Sequence, residues 1–223
     1  MKFRHEWKHE INYADFLVLK SRLSAVMKTD IHTVDGKYTI RSLYFDTPSD
    51  KALREKTDGV NIREKFRIRY YNGDTSYIVL EKKSKFGGLT SKSDCVISAD
   101  EAQRTVDGDI EWMKERGDPL CTELYVKMIY ERLAPKTIVD YTRRAYVFHA
   151  GNVRATIDYD IRTGINKTDF LNPDTVTIPA GDSPIIFEVK WDEFLPDIIK
   201  DAVSLPNRRV SSFSKYAQCR IYG

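Results

Sequence analysis

The residues best suited to chemistry lie in two short runs. Residues 63–71 read Arg-Glu-Lys-Phe-Arg-Ile-Arg-Tyr-Tyr, and residues 77–83 read Tyr-Ile-Val-Leu-Glu-Lys-Lys. Strand side chains alternate between faces, so Arg63, Lys65, Arg67 and Arg69 share one row, while Glu64, Phe66, Ile68 and Tyr70 share the other. Asn72-Gly73-Asp74 supplies a hairpin turn, and the partner run sets Glu81 and Lys83 in one row with Tyr77 and Val79. Four cations in a row repel one another unless an anion lies over them, so the row calls for a polyanion. A solvated basic face is the other reading, and the hairpin alone does not choose between them.

Other chemistries find less support. His5 and His9 lie on one face of a strand about 13 Å apart, too far to share a metal ion, and read as packing residues. Cys95, Cys121 and Cys219 are widely spaced with no Cys-x-x-Cys. That argues against a disulfide framework or a cysteine zinc site and fits a reducing compartment with ordinary thiols. Across 223 residues, Lys and Arg total 36 against 33 Asp and Glu, a net +3. This balance is unlike a nucleic-acid coat, so any basic function must come from clustering. The start, Met-Lys-Phe-Arg-His-Glu, is charged at once, and no apolar run nears the ~20 residues of a membrane helix, so the expected location is the cytoplasm.

The elements that position these rows follow from periodicity. Strands are expected at 3–11, 39–46, 89–97, 136–148, 153–161 and 184–191, with a short one near 176–178 in a long polar loop at 162–183. Asn12 with Asp15 marks a helix carrying Phe16, Leu19, Leu23, Val26 and Met27. Thr47-Pro48 reads as the start of a short helix ending by Gly59. Ser98 opens a helical insertion near 98–133, with helices at 100–106, 110–116 and 119–133, and further helices are expected at 194–205 and 211–219. The length suits a single domain, 1–223.

Polar rows recur on these strands: Glu6 and Lys8; Tyr141, Arg143 and Ala145; Arg154, Thr156 and Asp158; Glu188 and Lys190. If the apolar faces pack under the helices, the charged faces point inward. The expected fold is α+β, mainly β: an antiparallel, eight-stranded closed tunnel barrel with a charged interior, flanked by helices. A sandwich with its charged faces outward satisfies the same alternation.

Taken in order, several short motifs carry a resemblance over nearly the whole chain. They are Glu6-x-Lys8, Ser42-Leu43-Tyr44-Phe45-Asp46-Thr47, Arg67-x-Arg69, Glu81-x-Lys83, Tyr141-x-Arg143, Arg154 with Asp158, Glu188-x-Lys190 and Ser212-Phe213-Ser214-Lys215. The pattern resembles the VTC polyphosphate polymerase domain of the triphosphate tunnel metalloenzymes. The resemblance implies an enzyme that moves the terminal phosphoryl group of ATP onto inorganic polyphosphate, releasing ADP, with Mg or Mn as cofactor. It implies catalytic phosphate contacts at Lys8, Arg67, Arg69, Lys83, Arg143 and Lys215, and lesser substrate contacts at Tyr141, Ser214, Arg154 and Lys190. Glu188 matches the metal ligand; Glu6 and Glu81 are further candidates for the ion, and with Asp158 are equally readable as ion-pair partners.

Two positions depart from the family's pattern. Arg4 stands where hydrolytic and cyclase relatives carry the first acid of Glu-x-Glu-x-Lys, which favours the polymerase branch. Ser212 stands where a further lysine is common, with Arg208 or Arg209 as substitutes in charge. A tunnel triphosphatase and a non-catalytic polyphosphate or nucleotide sensor are the alternative activities. No nucleic-acid partner is implied, any export of product would need a membrane partner, and the oligomeric state is not legible.

Overall fold

The computed structural model describes residues 4–87, 89–205 and 208–222. The expectations placed on Phe3 and Gly88 fall outside them. In chain order the elements are β1 (His5–Ile11), α1 (Tyr13–Val26), β2 (Lys28–Thr29), β3 (Tyr38–Asp46), α2 (Lys51–Thr57) and β4 (Arg63–Tyr71). There follow β5 (Asp74–Phe86), β6 (Leu89–Ile97), α3 (Ala99–Asp107), α4 (Glu111–Arg116), α5 (Pro119–Tyr130) and β7 (Ala134–Phe148). The chain ends with β8 (Val153–Thr163), β9 (Ile178–Pro179), β10 (Ile185–Trp191), α6 (Asp197–Val203) and α7 (Lys215–Ile221).

The strands form one antiparallel sheet in the order β1-β10-β8-β7-β3-β4-β5-β6, with β2 added to β7 and β9 to β8. The expected eight strands curled around a charged interior are present. Closure differs: the hydrogen-bonded path ends at β1 and β6, so the sheet is a curled half-barrel and not a fully bonded cylinder. At the β1 edge, Ser211 donates its backbone N–H to the Lys8 carbonyl at 2.7 Å, and Arg208 pairs with Asp15 at 2.6 Å.

Apolar residues on the convex face pack under helices in two separate cores. Phe66, Ile68, Tyr70, Ile78, Leu80 and Ile97 meet Ala102, Trp112, Met113, Leu120 and Leu124 of the helical insertion. On the other half, Ile157, Phe187, Val189 and Trp191 meet Phe16, Leu19 and Leu23 of α1 and Ile199 and Val203 of α6. This places the apolar rows outside and the charged rows inside, which rejects the sandwich. A third cluster on the concave side joins Tyr38, Ile40, Tyr44 and Tyr141 to Tyr216 and Cys219 of α7.

Local chemistry explains most element ends. Asn72 and Gly73 take φ of 51° and 73°, the left-handed pair that a two-residue hairpin needs. Asn12 with Asp15 and Ser98 with Glu101 each form a reciprocal capping box, at the starts of α1 and α3. His5 stacks on Trp191 and His9 on Phe187, as packing residues should.

Three helix starts differ by three residues or more from expectation, and α5 ends at Tyr130 instead of residue 133, with Arg132 in the left-handed conformation. Thr47-Pro48 does not open α2, which begins at Lys51 after Asp50 in the left-handed conformation. The buried Asp46 carboxylate organises this start by accepting from the N–H groups of Thr47 (2.8 Å), Ala52 (2.9 Å) and Leu53 (3.2 Å), and from the Tyr216 hydroxyl. Residues 194–196 are not helical, because proline disfavours helical backbone in the residue before it, and Pro196 becomes the N-cap of α6. The last helix starts at Lys215, not residue 211, because Ser214 accepts from the Ala217 N–H and acts as its cap.

Asp46→Ala is expected to lower the free energy of unfolding by about 3 kcal/mol, since several donors lose a buried acceptor at once. Urea unfolding followed by circular dichroism measures it; a loss below about 1 kcal/mol would show that the two helices do not depend on this carboxylate.

Candidate anion-binding site on the concave face

Most of the inward cations lie beside a carboxylate, several of them by strand register. Lys8 of β1 lies opposite Glu188 of β10, with Nζ 3.0 Å from that carboxylate and 3.0 Å from Glu6. Lys190 joins the same group, 2.7 Å from Glu188 and 3.5 Å from Glu6. Arg143 of β7 lies opposite Asp158 of β8 and grips it through two bonds of 2.6 and 2.8 Å. Lys215, at the start of α7, reaches the second oxygen of Asp158 at 2.5 Å and sits over the Tyr141 ring.

A third group occupies β4–β6. Arg67 lies opposite Glu81, binds it at 2.8 Å, and donates to the Tyr44 hydroxyl at 2.8 Å. Arg69 and Lys92 hold the other oxygen of Glu81, the latter at 2.6 Å. Between these groups lie Lys65 and Lys83, opposite each other in register. Lys65 sits over the Tyr44 ring, and neither lysine has an ion-pair partner among the described residues.

The electrostatics separate paired from unpaired groups. Burial alone would raise the Glu81 and Asp158 carboxyls, but Arg67, Arg69 and Lys92 bring Glu81 to about 2, and Arg143 and Lys215 bring Asp158 to about 2. Against the same burial penalty, Lys8, Lys190 and Arg143 hold Glu188 well below the usual carboxylate range. Burial lowers Lys83 to about 8, where Lys8 and Lys190 oppose its charge and Glu6 and Glu188 favour it. Burial also drives Lys65 well below the usual lysine value, with Lys83, Arg67, Lys8 and Lys215 adding repulsion. Cations from β1, β4, β5 and α7 therefore feel one another at a single place.

The structure thus brings together Lys8, Arg67, Arg69, Lys83, Arg143, Lys215, Tyr141, Lys190, Glu188 and Glu6. Three expected residues have other engagements. Glu81 is buried under three cations, two of them arginines, and serves as their anchor, whereas Glu6 and Glu188 are contacted by lysines and keep some exposure. Arg154 is tied to Asp30 at 2.8 Å and to the Tyr38 hydroxyl at 3.0 Å. The Ser214 hydroxyl is the α7 cap, so it positions Lys215.

Sequence reasoning left Lys65 out of the site set, although its place in the row with Arg67 was the available signal. Tyr44 lies in the motif at residues 42–47, but its contact with Arg67, like the place of Lys92 beside Glu81, is revealed only by cross-strand register. At Ser212 the neighbouring charge comes from Lys56 of α2, whose Nζ donates to its hydroxyl at 3.1 Å, whereas Arg208 is committed to Asp15. Lys56, Arg63 and Lys85 line a cleft of roughly 390 Å³ together with Ser212 and Gln218.

For a hard divalent ion, the fitting donors are the carboxylates of Glu188 and Glu6. The Thr156 hydroxyl, opposite Glu188 on β8, is buried and has no hydrogen-bond partner among the described residues, which leaves it free to add an oxygen contact there. Phosphate oxygens from a ligand would complete such a shell. Among the described residues, no helix is long and apolar enough to cross a membrane.

Comparison with known proteins agrees with this geometry. Among solved structures, a candidate adenylate cyclase from Bacillus halodurans aligns with a TM-score of 0.50 at 13% identity, covering 85% of this chain and 80% of that one. At that identity the likeness establishes the shared fold. A Pyrococcus horikoshii OT3 protein aligns with a TM-score of 0.44 at 18% identity, covering 90% of this chain and 84% of its own. No match is found among curated proteins. The family model described as the VTC domain matches residues 3–222. The curled antiparallel sheet, its inward cations and this match lead to one assignment: the chain belongs to the VTC domain family.

Proposed function

We propose that the protein transfers the γ-phosphoryl group of ATP to the end of an inorganic polyphosphate chain and releases ADP. The observation that carries this reading is the convergence of Lys8, Lys65, Arg67, Lys83 and Lys215 on one concave face. In the reaction the bond from the β–γ bridging oxygen to Pγ breaks, and a terminal oxygen of the chain forms the new bond to Pγ. Arg67, Arg69 and Arg143 suit the equatorial oxygens because guanidinium is a planar, two-pronged donor, whereas Lys8, Lys83 and Lys215 act as point charges. Phosphoryl transfer needs mostly positioning and charge neutralisation from protein, which is what these groups offer.

The acids favour transfer over hydrolysis. A terminal phosphate oxygen is already anionic and needs no base to activate it, whereas an attacking water benefits from one. Glu81 and Asp158, at about 2, are weak bases, and Glu188 is held low as well. Glu188 and Glu6 are the groups that would hold Mg or Mn. When bound, the ion supplies neutralisation of charge on the phosphate oxygens.

Incubation with ATP and Mn²⁺, followed by gel separation, is expected to show a polyphosphate ladder. Arg67→Ala should lower the rate about 100-fold or more with unchanged circular dichroism. Free phosphate alone would identify a triphosphatase, and binding without turnover a sensor; a variant polymerising at the parental rate would remove Arg67 from the mechanism.

The lowered Lys83 predicts a pH dependence of anion binding. A bound polyanion favours the charged amine, so binding takes up a proton wherever free Lys83 is neutral, and affinity falls as pH rises through about 8. Calorimetric titration with tripolyphosphate between pH 7 and 9.5 should show on the order of a tenfold loss, with Lys83→Arg falling less over the same range. Equal slopes for the two proteins would place Lys83 outside the binding site.

A further inference from the structure

On the convex side of the sheet lies a second cluster that the phosphate chemistry does not use. Cys95 of β6 pairs in register with Leu80 and faces the helical insertion, while its neighbour Asp94 pairs with Glu81. Across the core, Cys121 is the third residue of α5 and fully buried. The two sulfurs are 3.6 Å apart. Asp118 is the N-cap of α5, and its Oδ1 accepts from the N–H groups of Leu120 at 2.9 Å and Cys121 at 3.2 Å. One ligand atom from each of Cys95, Asp118 and Cys121 lies within 4.8 Å of the others.

We propose that Cys95, Cys121 and Asp118 form a binding site for a thiophilic divalent ion of the zinc class, with a water as fourth ligand. Metal–sulfur bonds of about 2.3 Å in a tetrahedron put two sulfurs roughly 3.8 Å apart, close to the observed spacing. The donors are held in place before any ion arrives: one thiol on a paired strand, the other in the first turn of a twelve-residue helix, and the carboxylate fixed by two backbone amides. Apolar side chains, among them Leu80, Leu120 and Leu124, belong to the same core and shield the sulfurs, while half-buried Cys95 offers a route of approach. The neighbouring cation, Arg116, is engaged by Glu101 at 2.7 and 2.8 Å. A disulfide would draw the sulfurs to about 2 Å and leave Asp118 with no part in the cluster. The bound ion would clamp α5 to β6 independently of what the concave face binds.

The site eluded sequence reading because Cys95 and Cys121 belong to no short motif and meet only after the insertion folds back over β6. The test is titration of reduced, metal-free protein with Co²⁺. The expected result is a thiolate-to-cobalt charge-transfer band that saturates at one ion per chain and is displaced by Zn²⁺. Cys95→Ser should abolish the band and Cys219→Ser should keep it. Asp118→Asn preserves the helix cap, since asparagine caps as well as aspartate, and should weaken the ion about tenfold or more. The absence of a band in folded parent protein would overturn the site, as would a band that survives Cys95→Ser or unchanged affinity in Asp118→Asn. Mild oxidation to a Cys95–Cys121 disulfide in protein that takes up no cobalt would also overturn it.

Discussion

The structure depends on matching most inward cations with an acid through cross-strand register. Lys8 faces Glu188, Arg143 faces Asp158 and Arg67 faces Glu81. Neighbouring strands lie about 4.8 Å apart, so unmatched charges at that spacing in a poorly hydrated interior would push the sheet open. A slip of one residue would send each acid to the apolar convex side and each core residue inward. The two faces therefore enforce the same register, one by excluding water and the other by charge balance. Buried ion pairs are weak evidence for net stability, but removing one member leaves the other charge uncompensated, which costs about 3–5 kcal/mol.

Matching is incomplete, and the exceptions form a line. Arg63 faces Lys85, and Lys65 faces Lys83, which in turn faces Lys92. Like charges directly opposite in a sheet destabilise it by a few tenths to about 1 kcal/mol per pair. Lys92 is relieved by Glu81, whereas burial, with nearby cations adding to it, lowers the proton affinity of Lys65 and Lys83. The line continues outward to the cleft that Arg63, Lys85 and Lys56 share. An extended polyanion laid along it would meet cations at every step, with the paired groups deeper inside already oriented by their acids.

The sequence revealed the faces of strands better than their neighbours. Period-two alternation and Asn72-Gly73 were enough to define the β4–β5 hairpin and its cationic row, and cap chemistry at Asn12 and Ser98 located two helices. The α2 start was misplaced because the local Thr47-Pro48 signal competes with Asp46, whose donors come from residues six and seven positions on and from Tyr216 at the far end of the chain. The extra contacts of Glu81 with Lys92, of Lys56 with Ser212 and of Cys95 with Cys121 were equally hidden. Each joins elements whose adjacency is set by packing and not by spacing. The resemblance supplied most of the concave-face residues, but it could not show that Glu81 and Ser214 hold other groups in place.

The last helix shows why placement of these residues is tight. Ser214 caps α7, which fixes the direction of its first two side chains. Lys215 points to Asp158 and the Tyr141 ring, inside the curled sheet. Tyr216, the next residue, stacks on Tyr44 and donates to Asp46, while Arg220 one turn later binds Asp50 at 2.8 Å. Tyr44 in turn accepts from Arg67. One short helix is thus tied to the acid of the Arg143 group, to the tyrosine of the Arg67 group and to the cap of α2. A shift of α7 would disturb all three, so the cations from opposite walls are held at fixed separation before an anion arrives. For the proposed phosphoryl transfer that preorganisation would matter, because the reaction depends on in-line placement and a cation displaced by 1 Å stabilises its transition state far less.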